Sequence, residues 1–172
     1  KKWFWPSMAW NLLTDQPAPS GHALAITPPR KSGPTYFLHP WKGRLLIGTG
    51  HVACPVLTNR PEIPDDRIQM MIDDVNSSIP GLGLTADNID RVFAGFLPAA
   101  GELSAELSKR PVIYHHANSG GPRGLVSICG VKFTTARRVA QETLDSVFGK
   151  QRIAGIMEYH RPDPAQGWQS SH

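Results

Sequence analysis

The sequence predicts an α+β fold with a mostly antiparallel sheet and flanking helices. Three observations support this prediction. Short apolar and β-branched runs follow one another closely, only two segments show a sustained helical period, and Gly and Pro number 16 each. Frequent turn residues favour short elements over a helical bundle. The 172 residues suffice for one domain with a hydrophobic core, so we expect residues 1–160 to form a single domain and residues 161–172 a frayed tail.

Three strand candidates near the start of the chain predict an antiparallel meander. They are His22–Thr27, Thr35–Leu38 and Arg44–Thr49. The turn pairs Gly33-Pro34 and Lys42-Gly43 separate them. Residues 1–20 are mixed and contain one short apolar stretch, Met8 to Leu13, to which we assign no element.

A helix is predicted after Pro64, because Asp65 and Asp66 then fall in the first turn, where the helix dipole favours negative charge. Its apolar side chains recur at helical spacing: Ile68, Met71, Ile72 and Val75. The pair Pro80-Gly81 ends this helix, and Thr85 can cap a short turn before the next strand, Ile89–Leu97.

The second half of the chain is predicted to contain two more strands and a second helix. Residues 99–109 are expected to be a loop with some helical character. Strands are expected at Pro111–His115 and Gly124–Cys129, followed by a helix over Thr134–Phe148 with Gly149 as its C-cap.

Charge and cysteine content exclude some function classes. The net charge is +4, but the basic residues are spread along the chain without a stripe of basic and aromatic side chains, so we do not expect nucleic-acid binding. A small anionic ligand explains the mild positive balance equally well. Cys54 and Cys129 lie far apart without metal-type spacing, which indicates two reduced, buried thiols in a cytosolic protein and no metal site.

The sequence predicts a cytoplasmic protein. No apolar run approaches the roughly 20 residues of a membrane span. The aromatic residues Trp3, Phe4 and Trp5 are expected to pack against the protein, with peripheral membrane contact as the alternative. Since the chain does not begin with Met, we interpret it as a piece of a longer protein.

Two stretches match a relaxed dinucleotide-binding fingerprint, and neither occurs in the required context. Gly81 to Ala86 follows a helix and a proline instead of a strand. Gly48 to Ala53 follows a strand, but Pro55 blocks the helix whose N-terminus must meet the pyrophosphate. We therefore expect no FAD pyrophosphate site within this sequence.

The segment from Ser127 to Arg137 has the strongest functional signal. A strand leads to Gly130, a tight turn, and a helix N-terminus with Lys132 and two threonine hydroxyls nearby. Free N–H groups and the helix dipole favour an electron-rich group there, and glycine permits close approach to the backbone. The alternative is a plain strand–helix corner in which Thr134 is an ordinary N-cap.

This segment resembles the Gly-Gly-Lys-Leu-Thr-Thr-Tyr-Arg signature of FAD-dependent glycerol-3-phosphate dehydrogenases, a branch of the D-amino-acid-oxidase-like flavoproteins. Five residues match: Gly130, Lys132, Thr134, Thr135 and Arg137. Weaker similarities occur in the same order along residues 8–150, at Gly21–Leu24, Pro40–Thr49 and Ala94–Pro98. The resemblance implies that the chain is the C-terminal, substrate-side portion of such an enzyme and lacks most of its FAD-binding domain.

The resemblance also implies roles for individual residues. Those expected to face the flavin are Gly130, Lys132, Phe133, Thr134 and Thr135. Arg110 and His51 are expected near the anionic end of a small substrate, and His22 is the candidate base that takes the substrate proton. An inert strand histidine is the alternative for His22. Leu97 stands where the family has an arginine, and Gly50-His51 stands where it has Thr-Asp, which puts glycerol 3-phosphate in doubt as the substrate.

The functional hypothesis is an FAD-dependent oxidoreductase that oxidises a small hydroxy or amino substrate, of which this chain is an inactive portion. The alternative is a non-catalytic module that binds a protein or an anionic ligand on the same scaffold. The expected partners are the small substrate and the missing FAD-binding domain. The apolar face of the last helix also needs a partner, so self-association is a further expectation.

Overall fold

The computed structural model describes residues 3–130 and 132–149. Its strands are β1 (Pro6–Thr14), β2 (Leu24–Ile26), β3 (Tyr36–Trp41), β4 (Arg44–Ala53), β5 (Ile89–Pro98), β6 (Val112–His115) and β7 (Val126–Cys129). Its helices are α1 (Asp65–Ser78) and α2 (Ala136–Phe148), with 3-10 turns at Ala86–Asn88, His116–Ser119 and Phe133–Thr135. The α+β prediction is confirmed. Residues 161–172, the predicted tail, lie outside the described residues.

The main sheet has five strands in the order β2-β3-β4-β1-β5, and all neighbours pair antiparallel. The predicted meander of β2, β3 and β4 is confirmed. Strands β6 and β7 form a separate antiparallel pair. The structure therefore consists of one larger sheet with α1, followed by a smaller C-terminal unit with α2.

The inner strand β1, fourth of the five in the sheet, was not predicted from the sequence. It lies between β4 and β5, and eight of its nine residues are buried. A strand covered on both faces has no alternation of apolar and polar residues, so the pattern that identifies half-exposed strands is absent. The buried Ser7 hydroxyl lies within hydrogen-bonding distance of the carbonyls of Val52 and Ala105, at 3.4 and 3.3 Å.

Helix α1 packs on one face of the main sheet and forms the core with it. The core cluster comprises Trp10, Leu12, Tyr36, Leu38, Leu45, Ile47, Met71, Ile72, Val75 and Leu84. Full burial of one such large apolar side chain contributes about 1.5–3 kcal/mol. The helical period read from the sequence identified the correct face of α1, since Met71, Ile72 and Val75 are its buried apolar residues.

An ion pair with one buried partner, absent from the sequence predictions, joins the β2–β3 loop to α1. The Arg30 guanidinium donates from Nε and Nη2 to the two carboxylate oxygens of Asp74 at 2.6 and 2.8 Å. The Tyr36 hydroxyl donates to Asp74 Oδ2 at 2.9 Å. Burial alone would raise the pKa of Asp74, but the hydrogen bonds from Arg30 and Tyr36 outweigh it and lower that pKa. Burial, followed by the bond to Asp74, raises the pKa of Tyr36 to about 12.

The C-terminal unit is more open than the main sheet. The predicted helix begins at Ala136 instead of Thr134, because Phe133–Thr135 form a 3-10 turn ahead of it. Within α2 only Val139 is buried, so most of the predicted apolar face remains uncovered in the described chain. Residues 99–109 form the expected loop, without the helical character also expected, and an isolated bridge joins Ala99 to Leu107.

The described residues contain neither a membrane-spanning helix nor a metal cluster. Among the described residues, no helix is both long enough and apolar enough to cross a bilayer. The same residues contain no group of three His, Cys, Asp or Glu side chains arranged to hold a metal ion. Cys54 and Cys129 are free thiols and half-buried instead of buried, and burial raises the pKa of Cys129.

Candidate functional site

The turn between β7 and α2 is short, exposed and hydrogen-bonded within itself. Both the backbone N–H and the hydroxyl of Thr135 donate to the carbonyl of Lys132, at 3.1 and 2.9 Å. The Thr135 hydroxyl therefore stabilises the turn, while Lys132 and Thr134 are exposed. A side chain added at Gly130 would meet nothing within 4 Å, so the approach to its backbone is open.

A shallow cavity of about 470 Å³ lies beside this turn. It is lined by Ile128, Gly130, Lys132, Phe133, Ala136, Val139 and Ala140. Phe133 is 95% exposed. An apolar wall with one ammonium group and a helix N-terminus suits the edge of a planar, electron-rich ring. The residues present thus fit a flavin ring edge.

The candidate base and one candidate substrate residue are exposed. His22 lies just before β2, at the edge of the main sheet, and its backbone N–H donates to Ser20 Oγ at 3.1 Å. Arg110 lies just before β6, and its carbonyl accepts a hydrogen bond from the Ser108 hydroxyl at 2.8 Å. Neither residue lines the cavity beside Lys132.

His51 lies on β4 and lines a different cavity, of about 460 Å³. That cavity is lined by Trp10, Arg30, Ser32, Pro34, Tyr36, Gly50, His51, Arg67, Met70 and Ala105. Burial lowers the pKa of His51, because a charged imidazolium is poorly solvated there. Of the predicted site residues, Gly130, Lys132 and Phe133 line one cavity and His51 lines another, while the other four line neither, so the described chain does not gather them into one site.

The outer face of the main sheet has a row of side chains that sequence patterns did not identify. Strand pairing aligns Phe37, Gly48, Asn11 and Phe93 across four strands. The adjacent row is Leu38, Ile47, Leu12 and Val92, which packs in or against the α1 core. Since neighbouring residues of a strand point to opposite faces, the first row faces away from α1.

This outer row is apolar at its ends and polar at its centre. Phe37 is 60% exposed and Phe93 is 45% exposed. Between them, Asn11 Oδ1 accepts a hydrogen bond from the Thr49 hydroxyl at 3.1 Å. A side chain at Gly48 would collide with the Asn11 side chain, so this glycine leaves the space that the amide occupies. An exposed aromatic surface with a fixed polar centre is typical of a face covered by a partner or ligand.

Comparisons with known proteins agree on one relationship, although no family model matches the chain. A glycerol-3-phosphate dehydrogenase from Synechocystis is 32% identical over 120 residues, which is 68% of this chain and 22% of the relative. A mitochondrial glycerol-3-phosphate dehydrogenase from Arabidopsis thaliana is 30% identical over 135 residues, which is 78% of this chain and 21% of the relative. The crystal structure of the glycerol-3-phosphate dehydrogenase from Bacillus halodurans complexed with FAD superposes with a TM-score of 0.65 at 26% identity, covering 88% of this chain and 27% of that one.

Fold and relationships together define an α+β segment that matches part of a larger protein. More narrowly, the chain is homologous to one segment of the glycerol-3-phosphate dehydrogenases, and the resemblance seen in the sequence is confirmed. The chain spans about a fifth of the length of the curated relatives it matches, at 22% and 21%.

Proposed function

We propose that this chain is the substrate-side portion of an FAD-dependent dehydrogenase that oxidises a small hydroxy substrate, glycerol 3-phosphate or a related hydroxy or amino acid. The observation that supports it best is the homology to glycerol-3-phosphate dehydrogenases, one of them complexed with FAD. The proposed location is the cytoplasm, with peripheral membrane contact through the aromatic N-terminal residues. The proposed partner is an FAD-binding domain that covers the outer sheet face and the apolar face of α2.

The turn at Gly130 is proposed to hold the flavin edge. When bound, the flavin accepts the hydride that leaves the substrate. Lys132 and the start of α2 supply positive charge where negative charge develops on the ring, and the exposed Phe133 supplies an apolar contact. Thr134 is exposed and available to the ring edge, whereas Thr135 positions Lys132 by bonding its carbonyl.

The substrate roles are assigned to residues outside that turn. His22 is proposed to take the proton of the substrate hydroxyl or amine at its imidazole nitrogen. Arg110 and His51 are proposed to contact the anionic end of the substrate. Leu97 lies on β5 opposite Ser7 and offers no guanidinium, so the phosphate of glycerol 3-phosphate would lack one bidentate partner at that position. We therefore propose small hydroxy or amino compounds as the substrate class.

The test uses protein expressed from the complete reading frame that contains this chain. Stoichiometric FAD in the absorbance spectrum, bleached by glycerol 3-phosphate or by a hydroxy or amino acid, is the expected result. The double substitution Lys132→Ala with Thr134→Ala should lower flavin retention, while Lys109→Ala, at an exposed lysine outside the cavity, should not. A full-length protein that stays colourless and cannot be reconstituted with FAD would favour the non-catalytic binding module instead.

A further inference from the structure

Asn11 is the one residue of β1 that is not buried, and it lies on the outer face of the main sheet. Its row on this face contains the exposed side chains of Phe37 and Phe93 and no side chain at Gly48. In a strand buried along the rest of its length, an asparagine is less favourable than an apolar residue unless its amide is used. The position therefore indicates a role for the Asn11 amide.

The orientation of this amide is fixed by its neighbours. Asn11 Oδ1 accepts a hydrogen bond from the Thr49 hydroxyl at 3.1 Å, and a Cβ added at Gly48 would collide with the same oxygen. The carbonyl oxygen is therefore enclosed between Thr49 and the Gly48 backbone. Thr49 is the extra residue of a β-bulge, since Trp10 pairs with Gly50 and Asn11 with Gly48. Bulges redirect side chains and are common beside active sites.

The amide nitrogen of Asn11 remains free to donate. Within residues 3–130 and 132–149, Nδ2 makes no hydrogen bond and is not among the buried polar atoms without a partner, so it is accessible at the outer face. An amide N–H₂ group is a donor only and requires an acceptor, such as an oxygen atom. A ligand on this face would meet apolar side chains at both ends of the row and this donor at its centre, which is the usual composition of a small-molecule site.

His51, to which a substrate contact is assigned above, lies on the same face. It pairs with Ala9, and Ala9 is two residues from Asn11, so all three side chains point outward. On the other side of Ala9, its β5 partner is Gly95, where an added Cβ would meet nothing within 4 Å. The surface beside Asn11 is therefore open to a ligand on the β5 side.

We infer that Asn11 is a specificity-determining residue whose Nδ2 donates a hydrogen bond to the oxygen on the reacting carbon of the substrate, between the outer sheet face and the FAD-binding domain. The inference deepens the proposed function and rests on it, because that domain supplies the opposite wall of the site. Thr49 is a positioning residue, since its hydroxyl holds Oδ1 and leaves the N–H₂ group to the ligand. The hydroxyl of the substrate and the carbonyl of its ketone product can both accept this hydrogen bond.

The test uses the FAD-loaded protein expressed from the complete reading frame, titrated with two ketones and with their counterparts that lack the ketone oxygen. The pairs are dihydroxyacetone phosphate with 3-hydroxypropyl phosphate, and pyruvate with propanoate. The change in flavin absorbance gives each Kd without turnover. The wild type should bind at least one ketone about fivefold to tenfold more tightly than its counterpart, which is the range expected for one hydrogen bond.

Three variants decide whether Asn11 is responsible for this preference. Asn11→Leu and Asn11→Asp should both reduce the ratio of the two Kd values to about one. The aspartate is informative because its carboxylate still accepts from the Thr49 hydroxyl but cannot donate. Asn118→Asp is the matched control, since Asn118 is exposed in the turn at the end of β7 opposite Gly130, and it should keep the preference. FAD retention should stay unchanged in all three variants, which a general loss of structure would not allow.

The possible outcomes separate this inference from the proposed function. An FAD-loaded wild type that does not prefer either ketone, or a preference kept in both Asn11 variants, would overturn the inference and leave the proposed dehydrogenase standing. A colourless protein that cannot be reconstituted with FAD would overturn both.

Discussion

Gly50→Ala offers the sharpest test of how the sheet is packed. A Cβ at this position would lie 2.7 Å from Trp10 Nε1 and closer still to two carbons of the same ring. The indole cannot move away, since it belongs to the buried core cluster with α1. Forcing one extra carbon into a packed core costs about 1–3 kcal/mol, and the number of close contacts here places the expected loss at about 2–3 kcal/mol.

The measurement is the free energy of unfolding in urea, with Gly95→Ala as the matched control. Gly95 also lies in a strand of the main sheet, but an added Cβ there meets nothing within 4 Å. The control should therefore change stability by less than about 0.5 kcal/mol. In a thermal scan, the loss in Gly50→Ala should lower Tm by roughly 4–12 °C, taking about 2–4 °C per kcal/mol for a chain of this size.

A double-mutant cycle isolates the collision. Trp10→Phe shortens the ring and removes the atoms that an alanine at position 50 would meet. The double variant should consequently recover about 1–2 kcal/mol relative to the sum of the two single losses. Additive losses, or a Gly50→Ala protein as stable as Gly95→Ala, would refute the described packing of the indole over Gly50.

Three further predictions follow from the structure. First, His51 should make stability depend on pH. Stability should fall as the pH is lowered below about 6.5, the pKa of histidine in the unfolded chain, and should level off below the lowered pKa of His51 in the folded chain. The reason is that the unfolded chain binds the proton more readily, and His51→Gln should remove this part of the pH dependence in urea midpoints. Second, Asp74→Asn should destabilise the protein at neutral pH, because Tyr36 and Arg30 lose a charged acceptor. This loss of stability should vanish at a pH below the lowered folded pKa of Asp74, where the wild-type carboxyl is also neutral. An equal loss at pH 7 and at that acid pH would contradict the prediction. Third, Phe133→Ser should leave the urea midpoint of this chain unchanged within about 0.5 kcal/mol, since Phe133 is 95% exposed, while lowering flavin retention in the full-length protein. A stability loss in Phe133→Ser would show that this side chain packs within the chain itself.

Local signals predicted much of the fold correctly because the responsible interactions are local. Asp65 and Asp66 mark the start of α1. Thr85 forms a capping box with Asn88, in which the Thr85 N–H and hydroxyl both bond Asn88 Oδ1 at 2.9 Å. Helix periods, caps and turn pairs act within a few residues, so a sequence displays them directly.

The residues of the candidate site were harder to identify from local sequence signals. The turn at Gly130 was identified because strand, glycine, lysine and helix are contiguous, and the homology to glycerol-3-phosphate dehydrogenases supports the resemblance drawn from it. The cavity of Trp10, His51 and Arg67 joins residues from β1, β4 and α1 that are far apart in the chain. No spacing pattern relates them, since only the strand register and the packing of α1 on the sheet bring them to one cavity.

The sequence by itself determined the α+β class, the meander, both helices and the kinship with flavin-dependent dehydrogenases, because each follows from contiguous residues. Only the tertiary structure placed β1 between β4 and β5, joined Arg30 to Asp74, and separated His51 from the predicted residues of the Gly130 turn. Those features depend on contacts between residues tens of positions apart. Such contacts form only when several elements pack at once, and burial then requires that polar groups such as Asp74 be paired.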